Sequence, residues 1–266
     1  MGKKTSKKRL NTLPIKQFQP DKPKQVNIVP RNVTQESYLL KLLDPSKDIV
    51  FGVGPAGTGK TLIAVQVAIK MFKEKQVNKI VVTRPVVSVD EDLGFLPGTL
   101  EEKMAPWTIP IFDVFKLYFT TQDIRNMLYE GIIEISPLAF MRGRTFHNCY
   151  IVADEMQNAS TNQMKMLLTR IGRHSKLAVT GDLNQTDRPK DNGLSDFIEK
   201  LNKRASKLID IVSFAKKDVL RHKAVQEVLD IYGDWTKLTS WFLRIIWKPK
   251  GVQQIPLVSP GRNPSR

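Results

Sequence analysis

A single cysteine, Cys149, excludes any internal disulfide and any cysteine-built metal cluster. It opens an apolar run, so it reads as a core filler in a reducing compartment. No uninterrupted apolar stretch approaches the roughly 18–20 residues that a membrane span requires. The start of the chain has no apolar h-region of a secretory signal. These absences lead us to expect a soluble, cytoplasmic protein with no membrane partner. Acid is missing from one place in particular: residues 235–266 hold six Lys/Arg and no Asp or Glu. Residues 1–31 hold nine Lys/Arg against one acid. Of the net +16, those two segments carry +6 and +8, which leaves +2 for residues 32–234. The basicity therefore lies in two terminal arms around a nearly neutral body. Such arms attract nucleic acid through phosphate contacts and counterion release, or serve only as solvated tails.

What is present fits a globular enzyme. Hydrophobic residues make up 41% of 266, enough for a sizeable core. Residues 1–31, rich in Lys, Pro and Gln, read as a flexible arm, 32–234 as the folded domain, and 235–266 as a basic, aromatic-containing tail. Inside the domain, short apolar runs alternate with helical patterns. Strands are predicted at 48–53, 79–85, 132–135, 149–154, 176–182 and 208–214. Helices are predicted at 35–44, 61–75, near 111–130, near 160–171, near 192–204 and near 216–231. The stretch 86–110, with Pro97, Gly98, Pro106 and Pro110, reads as loop. This alternation predicts an α/β fold with a mostly parallel sheet covered by helices on both faces. Ligands in such sheets sit beyond the carboxyl ends of the strands, here just after 53, 154 and 181.

The first of those points carries Gly54-Pro55-Ala56-Gly57-Thr58-Gly59-Lys60-Thr61, a full G-x-x-x-x-G-K-[ST] between a strand and an amphipathic helix. Glycines let backbone N–H groups turn inward around phosphate oxygens, and the helix N-terminus faces the same anion. Lys60 would reach the terminal phosphates and the Thr61 hydroxyl would ligate Mg²⁺. The second point is an apolar strand ending in Asp154-Glu155, 94 residues after Lys60. Asp154 would hold Mg²⁺ through its water shell, and Glu155 would take a proton from the attacking water. Adjacent acids after the strand favour a hydrolase of the helicase or motor kind over a small-molecule kinase. The third point, a turn with Gly181, Asp182 and Gln185, would orient the lytic water or merely cap the next helix. Arginine assistance has four candidates: Arg84, Arg142, Arg144 and Arg221.

In order along the chain stand GPAGTGKT, VVTRPVV, LGFLPG, PLAFMRGRTF, DEMQN, QMKMLLTRIG, VTGDLNQTD and DVLRH. Over roughly residues 32–232 this series resembles the PhoH family of ATPases, single RecA-like P-loop domains related to superfamily 1 helicases. The resemblance implies ATP and Mg²⁺ as cofactors, with Gly54 to Thr61 as the nucleotide cradle. It implies Asp154 and Glu155 as the metal and water carboxylates, followed by Gln157 in a D-E-x-Q pattern. Gln185 falls where related helicases sense the γ-phosphate, and Gln35 where they read adenine. Arg221 is the expected finger, and a single lobe would need it from a neighbouring subunit, hence a homo-oligomer, in one form a ring. RNA or single-stranded DNA is the expected partner. Glu91 falls where the family carries an acid of no assigned role. The longer members' extra nuclease or RNA-binding module has no room in this length, as a compact bacterial or phage-encoded member would have it. Trp235, Trp241 and Trp247 among basic residues stack on bases or pack as an apolar segment. Two functions follow from different classes: an ATP hydrolase acting on nucleic acid, or an ATP-switched assembly module with slow, incidental hydrolysis.

Overall fold

The computed structural model describes residues 25–85, 100–187 and 191–220, with side chains of the third helix from 107 onward, and Ala224, Val225, Glu227 and Ile231. The chain divides into two compact units, Met1–Val219 and Leu220–Arg266. Every named element lies in the first unit. In the second, Ala224, Val225, Glu227 and Ile231 have helical backbone. Most of the basic arm, Glu91, the LGFLPG segment, Arg221 and the tryptophan-bearing tail lie outside the described residues.

Six strands form one all-parallel sheet: β1 (Ile49–Val53), β2 (Lys79–Arg84), β3 (Ile133–Pro137), β4 (Cys149–Ala153), β5 (Lys176–Gly181) and β6 (Ile209–Ser213), in the order β3-β2-β4-β5-β1-β6. The helices are α1 (Val33–Leu43), α2 (Lys60–Lys73), α3 (Leu100–Lys116), α4 (Thr121–Tyr129), α5 (Thr161–Leu168) and α6 (Gly193–Asn202). Every residue of β1, β4 and β5 is buried, as near-continuous apolar runs predict for the middle of a parallel sheet. Strand alternation sends Val50, Tyr150, Val152 and Ala178 to one face, where α1, α2, α3 and α4 cover them. Ile49, Phe51, Val53, Ile151 and Val179 go to the other, under α5, α6 and the 3-10 turn Leu138–Met141. The α/β, helix-on-both-faces expectation is met, and the arrangement is RecA-like, with β5 between the phosphate-loop strand β1 and the acid-bearing strand β4.

The prolines misled in one place. Residues 100–110 are not loop but the first two-thirds of α3, which runs through Pro106 and Pro110. A proline inside a helix loses one backbone hydrogen bond and costs about 3 kcal/mol. Pro110 is exposed, while Ile111, Val114 and Phe115 next to it are buried against the first core. Burial of three large side chains at about 1.5–3 kcal/mol each is of the size needed to offset the roughly 6 kcal/mol of two prolines. The helical stretch predicted near 111–130 is in fact two helices. A capping box at Thr120, with Asp123 answering its backbone N–H, starts α4 afresh. The helix expected from 216 opens instead with a single 3-10 turn, Lys216–Asp218.

Candidate functional site

Three loops leave the carboxyl ends of adjacent strands and meet in one cleft of ≈ 260 Å³. The phosphate loop follows β1, Asp154-Glu155 follows β4, and Gly181-Asp182 follows β5 between them. Ala56, Gly57, Gly59, Lys60, Thr61, Asp154, Glu155, Asp182 and Gln185 all line it.

The phosphate loop folds as it does because of its glycines: Gly54, Gly57 and Gly59 all have positive φ. Gly54 has φ +142°, and a Cβ there would run into the Phe214 backbone carbonyl. Gly59, at φ +81°, is the left-handed residue before α2, and its would-be Cβ meets Gln35 Nε2 at 2.8 Å. The turn between them brings Lys60 back over its own loop. Lys60 Nζ donates to Gly54 O at 2.6 Å, Pro55 O at 2.7 Å and Thr58 Oγ1 at 3.2 Å. Burial lowers the Lys60 ammonium below the usual lysine range, against the opposing pull of Asp182, Glu155 and Asp154. A buried cation among three carboxylates is poised for a polyanion.

Asp154 hangs at the end of β4, its backbone N–H donating to Thr83 O at 2.9 Å. Its Oδ1 accepts from the Thr61 hydroxyl at 2.7 Å and from the Thr180 hydroxyl. Two hydroxyls thus converge on one carboxylate oxygen, a set of hard oxygen donors that suits Mg²⁺. Glu155 has left-handed backbone, φ 52° and ψ 38°, which a side chain adopts at a cost of about 1 kcal/mol. Gln157 secures it: Gln157 Nε2 donates to Glu155 Oε2 at 2.6 Å, while Gln157 Oε1 accepts from Asp182 N at 3.0 Å. That carboxamide is buried, and it ties the loop after β4 to the loop after β5.

Asp182 forms the third side. Its carboxylate accepts from Ala56 N in the phosphate loop at 3.2 Å, from Gln185 Nε2 at 2.8 Å and from Asn184 N at 3.0 Å. Gln185 is therefore held at the rim by Asp182. Gln35 stands behind the loop rather than on the cleft wall. Its Nε2 donates to Thr58 O at 2.9 Å and its Oε1 accepts from Arg31 N at 2.9 Å.

Sequence reasoning named the loop, both acids and Gln185, and these residues meet. It passed over Thr180 and the bracing role of Asp182. Their signal was present in the strand end Thr180-Gly181-Asp182, but only the sheet order shows what lies beside it. Three of the arginine candidates, Arg84, Arg142 and Arg144, are not among the described lining residues of the cleft, and the fourth, Arg221, lies outside the described residues. Arg84 lies 5.9 Å from the Trp107 ring centre, and Arg142 is exposed. Arg144 is bound bidentately to Glu134, with Nη2 to Oε2 at 2.9 Å. Cys149 is buried at the start of β4, and burial pushes its thiol up, as a core residue's would be.

Residues 27–233 match the family described as PhoH-like protein. The chain belongs to the PhoH-like family. It is 43% identical over 187 residues to the PhoH-like protein of Bacillus subtilis (strain 168), covering 70% of this chain and 58% of that protein. Against Protein PhoH of Escherichia coli (strain K12) it is 41% identical over 210 residues, 77% and 58% of the two chains. Against the PhoH-like protein of Mycobacterium tuberculosis (strain H37Rv) it is 40% identical over 231 residues, 85% and 64%. This PhoH-like chain thus spans 58–64% of the length of these curated relatives. Among solved structures, the Sulfolobus solfataricus SWI2/SNF2 ATPase core in complex with dsDNA aligns at TM-score 0.40 and 14% identity, over 76% of this chain and 48% of that one. The Pif1 helicase of Candida albicans aligns at TM-score 0.39 and 14% identity, over 88% and 50%. Among the described residues, no helix is long and apolar enough to cross a membrane.

Proposed function

We propose that this PhoH-like chain is a Mg²⁺-dependent ATP hydrolase that works on RNA or single-stranded DNA. The observation that carries the hydrolase reading is the convergence of Lys60, Thr61, Asp154 and Glu155 on one cleft. The loop N–H groups and Lys60 bind the triphosphate, and Thr61 and Asp154 hold Mg²⁺. Bound there, Mg²⁺ would neutralise developing phosphate charge. Glu155, aimed by Gln157, accepts the proton of the attacking water, and Gln185 faces the terminal phosphate. The nucleic-acid reading rests on the +8 and +6 terminal segments, whose charge suits a phosphate backbone.

One feature favours an oligomer. The described lining of the cleft lacks arginine, and phosphoryl transfer gains roughly 10³–10⁵ from one. Arg221, supplied by a second copy of the chain, would complete the site. The same lack supports the second reading, an ATP-gated switch whose turnover is slow because the site is incomplete within one subunit.

Steady-state ATPase activity of the wild type and Glu155→Gln, with and without single-stranded RNA and DNA, tests the proposal. Stimulation by one polymer that disappears in the variant is the expected result. Slow turnover indifferent to both polymers moves the weight to the switch.

A further inference from the structure

Gln35 sits where the family resemblance would have it read adenine, yet its bonds face the other way. It is 5% exposed, on the inward face of α1. One carboxamide hydrogen goes to Thr58 O, inside the phosphate loop. The oxygen takes the N–H of Arg31, one turn earlier in the chain. Nε2 also fills the space that a Cβ on Gly59 would need, so side chain and loop backbone touch as well as bond. The residue's own backbone N–H is spent on the Asn32 cap at 2.8 Å.

The helix that carries Gln35 is itself fixed at two further points. One turn further on, Tyr38 is fully buried over Gly52, where an added Cβ would meet its ring at 2.7 Å. Thr34 Oγ1 donates to Asp218 Oδ1 at 3.0 Å, and Asp218 Oδ2 accepts from Ala215 N at 2.8 Å. Ala215 follows Phe214, whose carbonyl lies against Gly54 and whose N–H donates to Val53 O at 2.7 Å. A closed circuit results: α1, the loop after β6, the start of the phosphate loop at Gly54, and its end at Thr58-Gly59. Gln35 is the member of that circuit that touches the loop's last turn.

The geometry points to Gln35 as a positioning residue of the phosphate loop, a strut that holds Thr58 and Gly59 in the phosphate-binding turn, and not as a reader of the base. It acts on whatever anion the loop binds, through the loop, without touching a nucleobase. This inference rests on the proposed triphosphate site and makes a distinct claim about it. A strut serves a ligand without a base as well as one with a base. A base reader does not.

Titration calorimetry of the full chain with Mg·ATP, Mg·GTP and Mg·tripolyphosphate separates the two. In Gln35→Ala the dissociation constants for all three ligands should rise together, by about tenfold for removal of one hydrogen bond in the loop. The ATP-to-GTP ratio should stay at its wild-type value. A rise for ATP alone, with tripolyphosphate binding as before, would make Gln35 a base reader and overturn the inference. Unchanged affinity for all three would overturn it too, by showing the strut to be idle. Gln35→Met keeps the length, adds no charge, and removes the donor to Thr58 O together with the acceptor for Arg31 N. It should reproduce the uniform weakening, and it serves if the alanine variant fails to fold. Failure of the site itself reads differently: wild type that binds none of the ligands, or Lys60→Ala that binds tripolyphosphate as the wild type does.

Discussion

Replacing Gln157 should cost turnover while sparing nucleotide binding. Gln157 lies outside the cleft lining, so its effect travels through the lining residues it holds, Glu155 first and the Asp182 turn second. Its Nε2–Glu155 Oε2 bond, 2.6 Å long, has an ionised acceptor and is worth about 1.5–3 kcal/mol. That bond holds a carboxylate whose backbone is in a left-handed conformation at φ 52°, from which it would otherwise relax. If the whole contribution is felt when Glu155 takes its proton, kcat falls roughly 10–150-fold. KM for ATP should move little, because Lys60, Thr61 and the loop N–H groups are untouched. Gln157→Leu also leaves the buried Asp182 N–H unpaired, at about 1–3 kcal/mol of stability. Gln157→Glu avoids that by keeping an acceptor for Asp182 N, yet it sets a second carboxylate against Glu155. The assay is steady-state ATPase with melting temperature alongside, in wild-type and Glu155→Gln backgrounds. Either variant should lose turnover in the first background and almost nothing further in the second. Wild-type kcat in Gln157→Glu, or an equal further fall on top of Glu155→Gln, would refute the reasoning.

Other perturbations probe other parts. Glu134 is held at about 2 by its bond to Arg144 first and by Lys79, at 2.6 Å, second. A carboxyl depressed in the fold stabilises above its ordinary value of 4.5 and loses that stabilisation as pH falls from 4.5 toward 2. Glu134→Gln should therefore lower stability by about 1–3 kcal/mol at pH 7, with the gap to wild type closing below pH 4.5 in denaturant melts. A gap independent of pH would argue against the ion pair as its source. Thr180→Val removes one of two hydroxyls on Asp154 Oδ1 and should raise the Mg²⁺ concentration needed for half-maximal ATPase, without altering the fold; an unchanged Mg²⁺ requirement would show that Thr61 alone orients the acid. Deleting residues 1–24 should flatten the log–log salt dependence of single-stranded RNA binding, with basal ATPase intact. The slope should shrink by about 0.7 for each phosphate that the arm neutralised. The same slope in both proteins would mark the arm as a solvated tail.

The strand positions were legible because a parallel sheet buried on both faces demands unbroken apolar runs. DIVFGV and CYIVAD can be little else between turn residues. The phosphate loop was legible for a different reason: its glycines answer to backbone geometry that sequence states directly, as Gly54 against Phe214 shows. α3 was not, because Pro106 and Pro110 are strong local signals overridden by burial of Ile111, Val114 and Phe115, which is a tertiary fact. Gln35 was located by the family resemblance, ahead of the first strand, and nothing in that placement says which way the carboxamide turns.

The residues that sequence undervalued share one property: they act sideways, between loops that are far apart in the chain. Thr180 meets Asp154 across 26 positions, Gln157 meets Asp182 across 25, and Asp182 meets Ala56 across 126. Each pairing exists because β5 is inserted between β1 and β4. Were β1 and β4 neighbours, β5 could flank only one of them, so either Thr180 would lose Asp154 or the Asp182 turn would lose the phosphate loop. Strand order is settled by helices packing on both faces, and no local pattern encodes it. The groups that line a phosphate-loop cleft can thus be named from sequence, while the groups that aim them become visible only once the order of the strands is known.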